Sequence, residues 1–416
     1  MTSKIKELYF YIVVLYSGMS LTFFRSHPAL IILWVIGIVI FWKETYKTQK
    51  ILFGALAVWF GYFIINTLII GSLHPMFFGI YVAKIMIAYW LLGYYKERIF
   101  MKYENIIYVL TIVSLFFYII QLIAPVQLYN FMKSIDLSQD MSPHRTYASI
   151  AIYSFNQYNL IEAFPRNSGF TWEPGPFSCY IVLAIFINIV RNNCSLIDYK
   201  RLLIFVVGLV TTQSTTGFSI LLILILWYVW LKFKRNVIVI LAIPIVIVAI
   251  TYLFISVPWL QKKIISESEQ DIEYFIKSSS RSKKNEYPGR FVSLQIRWED
   301  FKRYPIAGFG GNDTLQTGYL NKDYIVSAVS GIGHIIGRYG AIGTVIFLLL
   351  IFRTGVNLKD LYNFSGSFIF PILIIMIGFS FNIIESPLIV TLWMVPVFLN
   401  KRINYIKKQA SRNSNL

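Results

Sequence analysis

An arginine and a carboxylate stand seven positions apart in "RNSGFTWEPGPF" (166–177), against a run that is apolar from Cys179 to Val190. A glutamate at the mouth of so apolar a segment is costly unless something needs it. Arg166 and Glu173 flank Gly169 and can face one site from either side of a turn, with Pro174 and Pro176 setting a helix start. A helix start offers free backbone N–H groups to an anion. The same residues can instead be an interfacial arginine and a glutamate that complements the helix dipole. Arg290 and Arg297 are also seven apart, two turns on one face of a helix. Such guanidiniums suit bidentate binding of phosphate oxygens, or else form the solvated face of a surface helix. Ser330, His334 and Arg338 recur at i, i+4 and i+8 as a polar stripe on an apolar helix. His334 can act as a general base near neutral pH, or pack between helices beside a snorkelling arginine. Lys84 lies mid-span, where it can pair with Glu385 or face a cavity. Arg145 and Lys133 are weaker candidates, and "TTQSTTGF" (211–218) suits a tight turn or close helix packing.

Other chemistry is absent from the sequence. There is no G-x-x-x-x-G-K-[ST] phosphate loop, and no cytoplasmic segment is long enough for a nucleotide domain. No D-x-D motif or His/Cys cluster at ligand spacing offers a metal site, and the histidines at 27, 74, 144 and 334 are scattered. The expectation is a reaction with no cofactor and no metal, driven by an activated substrate or by a gradient.

The elements that position these residues are membrane spans. The chain has 416 residues, 56% hydrophobic and 14% charged, and its apolar residues gather in blocks of roughly 15–22, about a bilayer's width. Hydropathy places spans at 8–24, 28–42, 51–71, 76–94, 105–124, 176–190, 202–215, 217–231, 237–257, 331–352, 367–384 and 386–399. The expected fold is an all-α integral membrane protein of about 12 transmembrane helices, a single polytopic domain over 1–416. The first span follows "MTSKIKE" with no small-x-small cleavage site and is read as retained. Lys and Arg crowd alternate connections, which places both termini in the cytoplasm and two long loops, 125–175 and 258–328, outside it. The formal charge of +18 is then a topology signal and an attraction to anionic lipid, not a nucleic-acid footprint. Two cysteines, at 179 and 194, make no disulfide framework. In the second loop, 278–289 reads as a mobile polar stretch and 290–303 as an amphipathic helix, stopped by Pro305 and the glycines at 308, 310 and 311. No internal repeat is visible.

These segments resemble the O-antigen polymerase and ligase superfamily, the Wzy-class polysaccharide polymerases. "RNSGFTWEPGPF" resembles its R-x-x-G-x-x-x-E-P motif, and "TTQSTTGF" its Ser/Thr-rich turn. "RWEDFKRYPIAGFGGND" is similar to its tryptophan segment ending in P-x-x-G-x-G, and "GRYGAIGTVIFLLL" to its aromatic-Gly-x-x-Gly opening of the next span. The resemblance covers roughly 160–350, in order. It implies a metal-independent glycosyltransferase of the inner (cytoplasmic) membrane that joins polyprenyl-diphosphate-linked oligosaccharides, with a chain-length regulator as a possible partner class. By match to the motifs, Arg166 and Arg290 or Arg297 would contact the diphosphate, and Glu173 would orient them or act as the base; Arg338 is a further candidate contact and His334 a further candidate base. In the ligases a histidine precedes the Gly-x-x-Gly at a set distance. Counted back from Gly340 that register falls on Val329, with His334 more than a turn later, which favours polymerase over ligase. A flippase for lipid-linked oligosaccharide is the competing reading, because Lys84 and Arg338 suit a charged translocation path. The long outer loop argues against it, since transporters place their sites near the midplane. Motifs of the shape–elongation–division polymerases are absent.

Overall fold

The structure, a computed structural model, describes residues 3–43, 49–136, 147–161, 164–233, 272–283, 285–320, 325–400 and 403. The described chain is mostly helix, and its sheet is one short hairpin. In chain order the helices are α1 (Ser3–Ser17), α2 (His27–Ile40), α3 (Gln49–Ile70), α4 (Pro75–Tyr95), α5 (Ile99–Ile123), α6 (Pro125–Ile135) and α7 (Pro174–Arg191). There follow α8 (Tyr199–Thr212), α9 (Thr215–Phe233), α10 (Ile272–Ser282), α11 (Arg290–Arg303), α12 (Gly331–Tyr362), α13 (Ile369–Ser380) and α14 (Pro387–Trp393). Proline opens α4, α6, α7 and α14, where its fixed φ favours helix and its missing N–H costs nothing.

Among the described residues five helical stretches are long and apolar enough to cross a membrane. They are Lys50–Ile70, Pro75–Ile123 (α4 and α5 joined by a 3₁₀ turn), Pro174–Arg191, Thr215–Phe233 and Gly331–Tyr362. The expected span at 237–257 lies outside the described residues. The expected first span, 8–24, stops short as a helix at Ser17. Gly18 sits so close to Phe170 that an added Cβ would fall 2.4 Å from its carbonyl oxygen, and Met19 turns to bridge Thr171. The stretch 278–289, expected to be loose, is helical up to Ser282, because Phe275 of α10 is buried with Val292 and Ile296 of α11. The amphipathic helix expected over 290–303 is α11.

The centre of the bundle is α7. It is apolar on every face and buried from Pro174 to Val190, packed by α5, α8 and α9. A second group, α4, α12 and α1, surrounds α14. The Tyr180 hydroxyl of α7 donates to the Ser17 carbonyl at 2.8 Å, and Leu388 N–H donates to Ser17 Oγ, which ties the two groups together.

The two ends of the bundle differ in chemistry. At one, buried Glu104 accepts from Asn188 at 2.7 Å, Arg191 at 2.8 Å and Arg201 at 3.4 Å, while Lys102 pairs with Glu7 at 2.6 Å. At the other, a hairpin of β1 (Tyr147–Ser149) and β2 (Ser154–Asn156) rests on α6 and holds the 164–173 segment, with Ser154 N–H donating to the Gly169 carbonyl at 2.8 Å. The charge rule assigns the first end to the cytoplasm. Reporter fusions after Arg98 and Ile197 are therefore expected to read inside and one after Ser280 outside. An inside signal at Ser280 would reverse the assignment.

Candidate functional site

The loop before α7 is built by its own side chains. Asn167 Oδ1 accepts from Gly169 N–H at 2.9 Å, closing an Asx turn, and its amide donates to Thr211 Oγ1 and Ser114 Oγ. Gly169 has φ +51°, and a Cβ there would lie 2.6 Å from the Phe177 ring, so a side chain is excluded twice. The turn at 211–217 closes beside it. Gly217 lies against Ser178 of α7, and the Thr216 hydroxyl donates to Ser380 at 3.2 Å. Arg166 Nε donates to the Thr212 carbonyl at 3.1 Å and so caps the negative end of α8.

Glu173 is the N-cap of α7, yet its side chain makes no cap hydrogen bond. Its carboxylate is left for other partners. Burial raises its pKa above the ordinary carboxylate value, opposed by Arg290, Arg166, the Trp172 indole and Arg25. Arg290 opens α11, stacks over the Phe381 ring at 5.3 Å and makes no hydrogen bond or ion pair among the described residues. Arg25 lies over Trp172 at 5.5 Å and donates to Met19 O and the Tyr147 hydroxyl. Glu173 thus lies within electrostatic reach of Arg290, Arg166 and Arg25.

A second cluster lies on the first half of α12. Ser330, expected as part of a polar stripe, is the N-cap, its Oγ accepting from Gly333 N–H at 3.2 Å. His334 is buried, with Nδ1 3.9 Å from Glu385 Oε2 and neither ring nitrogen hydrogen-bonded among the described residues. Glu385 Oε1 accepts from the Tyr81 hydroxyl of α4. Lys84 sits over the Tyr81 ring at 4.6 Å. Arg338 turns outward, donating to Asp313 at 2.8 Å and to the Gly310 carbonyl at 3.1 Å. The connection from Phe381 to Ser386 separates the clusters: Phe381 faces Arg290 and Gly175, and Glu385 faces His334 and Tyr81. Asn382 Oδ1 on this connection is buried with no hydrogen-bond partner among the described residues.

Arg290 and Arg297 share a helix but not an environment. Arg297 is 4% exposed, with Nη1 2.8 Å from Asp300 and Nη2 2.8 Å from Gln316. It packs on Gly333 and Gly337 of α12, whose small size lets α11 approach. Lys133 is exposed on α6, and Arg145 lies outside the described residues. Arg25 and Tyr81 carried no signal in the sequence beyond residue type, because they reach the clusters through packing.

The fold and site define a multi-pass helical membrane protein with two polar clusters, rich in cations, at one end of the bundle. Residues 202–348 match the family profile described as O-antigen ligase. The match supports a likeness to the O-antigen ligase and polymerase superfamily, whose members transfer glycans. No curated protein matches the chain. The matched segment holds α11 and the first half of α12, while Arg166, Glu173 and Glu385 lie beyond its ends.

The two arginines of α11 separate on stability. Arg297→Ala strands Asp300 in the interior and is expected to cost about 3–5 kcal/mol. Arg290→Ala, at a half-buried position without an ion pair, is expected to change stability by about 0.5 kcal/mol or less. Thermal unfolding of the purified variants checks both.

Proposed function

We propose that the protein is a polysaccharide polymerase at the outer face of the cytoplasmic membrane, joining polyprenyl-diphosphate-linked repeat units. The observation that supports this reading is Glu173 at the start of the buried helix α7, within electrostatic reach of Arg290, Arg166 and Arg25. A sugar hydroxyl of the acceptor attacks the anomeric carbon of the donor glycan. The bond from that carbon to the diphosphate oxygen breaks, and polyprenyl diphosphate leaves. Arg290 and Arg166 stabilise the charge that develops on the leaving group. Glu173 takes the hydroxyl proton, and its raised pKa makes it a stronger base than an ordinary carboxylate. Arg297 positions α11 so that Arg290 reaches the diphosphate, and Arg338 fixes the loop that ends at Asp313. His334 is the alternative base, buried beside Glu385. A chain-length regulator is a partner class that such a polymerase would use.

Ligation to a different acceptor is the second reading, favoured by the description of the matched family. Purified protein given lipid-linked repeat units alone separates the two. A polymerase lengthens them, without nucleotide and in the presence of chelator, while a ligase needs its own acceptor.

Arg166→Lys is expected to lose most polymer at normal protein level, because lysine does not reproduce the planar fork. Glu173→Gln is expected to lose about a hundredfold or more in rate. Arg281→Ala, on exposed α10, is expected to leave polymer unchanged. Normal polymer from both Arg166→Lys and Glu173→Gln would make the motif structural. The base assignment also fixes a pH dependence. Glu173 must be ionised to act, so activity falls as pH drops through its raised pKa. The pH–rate profile of the wild type should show that acid limb, and the residual activity of Glu173→Gln should lack it. A limb that survives in Glu173→Gln and vanishes in His334→Ala would move the role to His334.

A further inference from the structure

Along α5, Ile112, Phe116, Ile119 and Ile123 are exposed apolar side chains at helical spacing, the stripe that a span turns to lipid. Near its other end, buried Glu104 holds Arg191 and Arg201. From Glu104 to Ile123 the helix rises roughly 28 Å at 1.5 Å per residue. A bilayer's hydrocarbon is about 30 Å thick, so Ile123 stands at the hydrocarbon boundary away from Glu104. Phe117 and Ile120 lie roughly 9 and 5 Å short of it.

The chain after α5 stays at that height. Leu128 and Met132 of α6 share one buried cluster with Ala148 and Phe155 of the hairpin, and Phe117 and Ile120 of α5 pack against it. The Phe117 and Tyr153 rings stack at 5.2 Å. The cluster thus sits beside the last two turns of the span rather than beyond them. The rest of α6 is exposed and divides by chemistry. Gln127, Asn130 and Ser134 form a polar side, with Val126 and Lys133 at its far edge. Phe131 and Ile135, one turn apart, form an apolar flank that is 55% and 45% exposed. Ile161 and Phe164, further along the same connection, are 84% and 77% exposed. Phe164 is held at this height as well, because the next carbonyl, that of Pro165, accepts from the Tyr118 hydroxyl of α5 at 2.8 Å.

Large apolar side chains held out at the hydrocarbon boundary, with a polar side next to them, fit a helix that lies in the plane of the membrane interface. We propose that α6, through Phe131 and Ile135, is seated in the bilayer leaflet at this end of the bundle together with Ile161 and Phe164, the acyl chains of bulk lipid being their partner. Continuity with the α5 stripe favours lipid over a protein partner. The seat fixes the height of the Arg166 backbone, whose carbonyl accepts from Asn159 at 3.0 Å and from Gln121 of α5 at 3.4 Å. It is independent of the reaction that the protein performs.

The test places a nitroxide on single cysteines of the full-length protein in phosphatidylcholine–phosphatidylglycerol vesicles. Collision with oxygen, which concentrates in hydrocarbon, is compared with collision with a water-soluble nickel chelate. Phe131→Cys and Phe164→Cys report on the two segments, and Ile135→Cys and Ile161→Cys replace them where either fails to fold. Phe116→Cys is the lipid reference and Lys277→Cys, on exposed α10, the water reference. Cys179 and Cys194 are buried, and unsubstituted protein measures any labelling there. The oxygen-to-nickel ratio at Phe131 and Phe164 is expected to approach that at Phe116, severalfold above that of Ser134→Cys on the polar side of α6. Nickel-dominated collision at Phe131 or Phe164, or a ratio at Phe131 equal to that at Ser134, would overturn the proposal. Low collision with both reagents would mean that a second copy or another protein covers the face, and would overturn it too.

Discussion

A helix broken inside an apolar environment must find new partners for the backbone groups that the break releases. In α12 the break is at Gly340, at φ +60° and ψ −158°. The partners come from the loop after α11. Ala341 N–H donates to the Pro305 carbonyl at 2.8 Å and Ile342 N–H to that of Ile306 at 3.1 Å, while Phe309 and Gly310 donate back to Gly337 and Arg338. The fit is close enough that a Cβ on Gly308 would lie 2.2 Å from the Arg338 backbone. Tyr62 and Asn66 of α3 complete it by donating to the Ala307 carbonyl at 2.7 and 2.9 Å. The glycines of the P-x-x-G-x-G and G-x-x-G segments are thus one device, read from two stretches of chain.

What that device sets is the placement of the first half of α12. Seated on it, Gly333 and Gly337 meet α11, and Arg297 and Asp300 are buried as a pair beside them. Arg290, two turns before Arg297, is carried to Phe381 and toward Glu173. His334 is carried to Glu385. The Phe381–Ser386 connection then stands between the two polar clusters.

Local stereochemistry made much of this legible beforehand. Helical spacing marked α11, Pro174 and Pro176 marked the start of α7, and the Pro/Gly punctuation after Arg303 marked a loop. The apolar blocks marked the five stretches that, among the described residues, are long and apolar enough to cross a membrane, though Gly18 ended the first helix early by its closeness to Phe170. Each of these signals depends on neighbours a few residues away.

The sequence by itself therefore determined a helical membrane protein, the helix that begins beside Glu173, and a set of arginines and one histidine available for chemistry. Only the tertiary structure decided which of them act together. Identical guanidiniums on one helix became different things, Arg297 an internal ion pair and Arg290 a cation with no ion pair among the described residues. Arg25 joined a cluster through Trp172, and Tyr81 met Glu385 across 304 positions of chain. Spacing encodes which face of a helix a residue occupies, whereas the partner on that face depends on how the helices pack, and no local pattern carries that.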